Sequence, residues 1–205
     1  MKILFFMKGI VKSLSKGDVF RNIFSALLKT IAFFTVIAAI VGFFWGFDKL
    51  HDDLGFLTYE KAFRIFSALL VLLIEGWMLF QILWIRSDVI SDIPESDYNV
   101  VPIVAVLLKT TGEVISIYIA VGTIIFWLDG GYLVNTLLFE RGFPTWLFFS
   151  SISYLRVIWL ILNAFFVLLL FYFLAECLVA VVDIARNTKG IRNITSQQNN
   201  INKGQ

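Results

Sequence analysis

Four long apolar stretches, separated by short polar segments, dominate the chain: residues 23–47, 62–85, 100–128 and 152–185. Each is at least as long as the roughly 20 apolar residues that carry a helix across the ~30 Å hydrocarbon core of a bilayer. None alternates apolar and polar positions as a membrane β-strand would, the run 160–174 least of all. The pattern predicts an all-α integral membrane protein with four transmembrane helices in a bundle. The fourth stretch exceeds what a bilayer requires, so it is expected to tilt or to project a helical end into water.

Polar residues divide the rest. Residues 1–22 place Met7, Ile10, Val11 and Leu14 at helical spacing, with Lys8, Lys12 and Lys16 on another face. That spacing predicts an amphipathic interfacial helix on anionic lipid headgroups. Lysines at positions 8 and 12 interrupt any signal-peptide core. Residues 87–99 form an acidic loop around Pro94, and residues 187–205 a polar tail expected to be disordered. The loop 129–153 is partly apolar and broken at Gly142 and Pro144, with Tyr132 and Trp146 suited to the headgroup region.

Basic residues orient the spans. Lys2, Lys8, Lys12, Lys16, Arg21, Arg86, Arg186, Lys189, Arg192 and Lys203 fall on one side; Lys49, Lys61, Arg64, Arg141 and Arg156 fall on the other. The positive-inside bias then puts both termini in the cytoplasm, with a cell (inner) membrane as the expected location.

An internal repeat organises the spans. Leu27-Leu28-Lys29-Thr30 recurs as Leu107-Leu108-Lys109-Thr110, and Val41-Gly42 recurs at the same offset as Val121-Gly122. Leu73-Ile74-Glu75 faintly resembles Leu174-Ala175-Glu176. Residues 23–86 and 100–186 therefore read as two tandem parallel two-helix repeats.

Composition narrows the function. Hydrophobic residues make up 59% of the chain and charged residues 16%, against about 45–50% and about 25% in soluble domains. A water-soluble enzyme is excluded. A single cysteine, Cys177, excludes an intrachain disulfide, and a single histidine, His51, excludes paired-histidine metal or haem ligation. Asp48, His51, Asp52 and Asp53 read as solvated loop charge, so neither a metal nor a cofactor is expected.

The candidate chemistry lies within the spans. Glu75, Glu113 and Glu176 fall at similar depth, where an ionised side chain is costly and needs a partner. Lys109 stands one turn from Glu113 and is its expected partner; Lys29 is expected to meet Glu75 or to snorkel to the interface. These five residues form either a buried ionic cluster or an ion site. Small-residue stripes at Ala38, Gly42 and Gly46, and at Gly112, Ser116 and Ala120, are expected to pack helices closely. The sequence reads as a non-enzymatic scaffold or accessory subunit of a membrane complex. The alternative is a small oligomeric channel, or a proton- or cation-coupled transporter using the glutamates. Expected partners are lipid and either further copies of the chain or other membrane subunits, with no nucleic acid.

Overall fold

The computed structural model describes residues 18–93, 100–129 and 154–203. These form four helices: α1 (Asp18–Asp53), α2 (Tyr59–Ser91), α3 (Val100–Asp129) and α4 (Tyr154–Lys203). All four are long and apolar enough to cross a membrane, and the described residues contain no strand. The chain is a multi-pass membrane protein. The expected N-terminal surface helix and the outer loop lie outside the described residues, apart from the first turns of α1 and the end of α3.

The helices outrun their apolar cores. In hydrocarbon each backbone amide must be bonded within its own segment, so an apolar run continues as helix until a breaker or water stops it. α1 ends in the turn around Gly55, where Phe56 N–H donates to Asp53 O at 2.9 Å. α2 starts after Thr58 in extended conformation, with Glu60 in its first turn paired to Arg64 at 2.7 Å. No glycine or proline follows Arg86 until Pro94, so α2 continues through Ser91 and takes in residues expected to form a loop. Pro102 sits in the first turn of α3, where its missing N–H costs no helical bond. The polar tail expected to be disordered is helical to Lys203.

The spans form an open row rather than a closed bundle. α1 packs on α2, α2 on α3, and α3 on α4; no other pair of these helices packs extensively. Two apolar clusters tie the first three together. One holds Leu50, Ile65, Ala68, Leu69 and Ile125 at the end where α1 turns into α2; the other holds Leu28, Ala32, Leu83, Ile90 and Ile103 toward the opposite end. α4 is the most exposed: only 6% of its membrane window is buried.

Close approach explains the α1–α2 seam. Ala32, Ala39 and Gly46 are buried at heptad spacing along α1. A Cβ on Gly76 of α2 would overlap the Cβ of Ala39. Ser25 and Ser87 close the end of the seam near the start of α1 with buried hydroxyls 2.8 Å apart, and Arg21 donates to the Ile93 carbonyl at 2.8 Å. Of the predicted stripe Gly46 is buried, and Ala38 and Gly42 are not. Ala39 is buried where Ala38 is exposed, and Gly42 meets only the flexible tip of Leu72. On α3 the stripe falls on the seam with α4. A Cβ on Gly112 would overlap Phe171, and Ser116 donates to the Ala164 carbonyl at 2.7 Å. Ala120 is half-buried above them.

Candidate functional site: the intramembrane charges

The acids divide into two paired groups and one unpaired carboxyl. Glu113, near the middle of α3, binds Arg86 of α2 in a two-pronged contact. Arg86 Nε donates to Oε2 at 2.9 Å, and Nη2 meets Oε1 more closely. Tyr172 of α4 donates its hydroxyl to the same Oε1 and accepts from Arg86 Nη2 at 2.8 Å. Both charged side chains are largely buried, at 21% exposure for Arg86 and 15% for Glu113. A guanidinium forking onto a carboxylate satisfies two donors and both oxygens, the geometry that makes an ion pair tolerable away from water. This triad joins three helices.

The partner expected for Glu113 was Lys109, one turn away, and this expectation is corrected. Lys109 reaches across to Glu176 of α4, Nζ to Oε1 at 2.6 Å, and lies 5.4 Å from the Tyr172 ring centre. Glu176 is well exposed, at 65%. Side chains on α3 point back toward the helix start and outward, so a neighbouring helix at the seam outcompetes the local turn.

Lys29 does not meet Glu75 either. It pairs with Asp88 at 2.9 Å and sits 4.9 Å from the Trp84 ring centre, toward the C-terminal end of α2. The two lysines therefore have matching settings. Each comes from the first helix of a hairpin and lies beside an aromatic ring and a carboxylate one turn apart on the second: Trp84 and Asp88, or Tyr172 and Glu176. In this register Asp88, not Glu75, is the counterpart of Glu176.

Glu75 is different from both groups. It occupies the midpoint of α2, about 24 Å from either helix end at ~1.5 Å per residue. It is 5% exposed, and its Oε1 is shut from solvent and accepts no hydrogen bond among the described residues. It lies between the two apolar clusters, where the side chains of α1, α2 and Tyr118 of α3 leave a cavity of about 320 Å³.

Sequence reasoning missed Arg86, Tyr172, Trp84 and Asp88 as members of these groups. Arg86 and Asp88 were read as loop residues, and the two aromatics carried no spacing signal. The absence of any breaker between Arg86 and Pro94 was the available signal. Asp48, His51, Asp52 and Asp53 stand in the last turns of α1. Among the described residues no group of three potential metal ligands converges. No known family model, curated protein or solved structure matches the chain.

Proposed function

We propose that the protein is a non-enzymatic membrane scaffold or accessory subunit, built from a duplicated two-helix hairpin and held to a partner by α4. The recurring lysine, aromatic and carboxylate settings support the duplication. The Arg86–Glu113–Tyr172 triad acts as an internal lock between hairpins, because its charges neutralise one another and leave no open coordination position.

The observation that carries the reading is the exposed end of α4 among the described residues. The helix packs on α3 along Val157, Leu160, Ala164, Phe171, Ala175, Leu178 and Val182, and beyond Val182 every described side chain is exposed. That extension and the turn before it carry Val181, Ile184, Ile191 and Ile194 on one side, each at least 62% exposed. At ~3.6 residues per turn they fall within an arc of about 140°. An exposed apolar stripe on such a helix is a place for a second helix. The partner is therefore a membrane protein with an amphipathic helix near the inner membrane surface. Both termini lie on that side, in keeping with the basic residues around them.

Site-directed photo-crosslinking in intact membranes tests this. A photoreactive residue at Ile184 or Ile191 is expected to give one protein adduct of fixed mass, while the same residue at Arg186, on the opposite side of the helix, gives none. Lipid adducts alone at all three positions would refute the partner face.

The alternative of an ion-coupled channel or transporter keeps only one of its three acids. Glu113 and Glu176 are engaged by Arg86 and Lys109, and Glu75 alone remains.

A further inference from the structure

We propose that the Glu75 cavity is a binding site for a monovalent organic cation, a hydrophobic amine or quaternary ammonium that enters from the membrane. The inference goes beyond the scaffold reading and is independent of the α4 face.

The geometry begins with charge. A carboxylate at the centre of a span needs a counter-charge close by. The basic side chains nearest in the row are committed elsewhere: Lys29 to Asp88, Arg86 to Glu113 and Lys109 to Glu176. Among the described residues no basic side chain lines the cavity. The carboxyl is therefore neutral by protonation while the cavity is empty, and binding a cation there exchanges that proton for the ligand's charge.

The lining says what kind of cation fits. Small inorganic cations need a shell of oxygens, six or more for the hard divalent ions. Here the side-chain oxygens are the Glu75 carboxylate and the hydroxyls of Thr35 and Tyr118, and Thr35 already donates to the Ala32 carbonyl at 2.7 Å. The rest of the wall is apolar or aromatic, from Ile31, Phe34, Leu72 and Leu79. A volume of about 320 Å³ lies within the range of small-molecule pockets. An organic cation satisfies the walls through its carbon atoms, the carboxylate through its charge, and the rings of Phe34 and Tyr118 through cation–π attraction. Phe34 is 64% exposed at the cavity edge, which places the entrance on the lipid side.

Construction supports the same reading. Gly76 and Ala39 bring the backbones of α1 and α2 together beside Glu75, so the space next to the carboxyl is bounded by rigid helix rather than by loops. In the second hairpin the register set by Asp88 and Glu176 places Asn163 where the first has Glu75, and Asn163 is exposed. The acid belongs to the hairpin whose open side is roofed by Tyr118.

The experiment is equilibrium binding of radiolabelled tetraethylammonium to the full chain in lipid nanodiscs at constant ionic strength. Saturable binding is expected, retained in Glu75→Asp and weakened at least about tenfold in Glu75→Gln, the equivalent of one lost charge contact. Ala38→Leu narrows the cavity without touching its charge and is expected to weaken binding as well. That variant keeps the test decisive if Glu75→Gln fails to fold. Absence of saturable binding to the wild type, undiminished binding by folded Glu75→Gln, or undiminished binding by Ala38→Leu would each overturn the proposal. Displacement by sodium at concentrations equal to the label would assign the site to an inorganic ion and overturn it too.

Discussion

Arg86→Met is expected to lower stability in detergent by about 3–5 kcal/mol, the cost of leaving a buried charge without its partner. The substitution strips Glu113 of its two-pronged donor and Tyr172 of one of its two contacts. Three helices meet at that point, so the loss is felt at both the α2–α3 and α3–α4 seams. Arg86→Met combined with Glu113→Leu removes both charges and is expected to recover most of the loss, because two apolar side chains replace the pair in an apolar setting. Reversible unfolding in mixed micelles measures the difference. A double variant no more stable than Arg86→Met would show that the two residues are not partners. Lys109→Met is a useful contrast. Its partner Glu176 is exposed, so a loss of at most about 1 kcal/mol is expected, as for other exposed ion pairs.

The second large effect concerns shape rather than charge. Gly76→Ala places a methyl group where the Cβ of Ala39 already lies. Two rigid helices must move apart, which is expected to cost about 1–3 kcal/mol, as overpacking does elsewhere. The reciprocal exchange, Gly76→Ala with Ala39→Gly, moves the methyl group from one helix to the other and keeps the spacing. Glycine and alanine differ by ~1 kcal/mol in a helix interior, and here the two changes cancel. Near wild-type stability for the exchange, with a clear loss for Gly76→Ala alone, is the expected result from the same unfolding measurement. Equal losses would show that the seam does not depend on this contact.

The spans were readable from sequence because hydrocarbon forces long apolar runs to be helical whatever their neighbours do. Their arrangement was not. These helices are apolar nearly all round, so little in their patterning tells a face turned to lipid from a face turned to another helix. Ala38 and Ala39 illustrate this. Both are small, and only the second is buried. The charged residues failed for a related reason. Lys109 and Glu113 have the spacing of a helical pair, and local spacing was the only signal on hand. The true partners, Arg86 for Glu113 and Glu176 for Lys109, come from other helices. Lys29 and Lys109 were singled out by the tetrapeptide around each, whereas in the structure each lies beside a ring and a carboxylate of the facing helix. That likeness paired Asp88 with Glu176, where sequence likeness had paired Glu75. Glu75 is left as the intramembrane acid whose Oε1 accepts no hydrogen bond among the described residues.

On the proposed function, α4 holds this protein to another membrane protein through the stripe at Val181, Ile184, Ile191 and Ile194. Native mass spectrometry of the chain, ejected directly from membrane vesicles, tests it most directly. The expected spectrum shows the chain bound at fixed stoichiometry to a second membrane protein, and free chain alone when Ile184→Glu and Ile191→Glu are introduced together. Free chain alone for the wild type, or a complex untouched by the double substitution, would contradict the account.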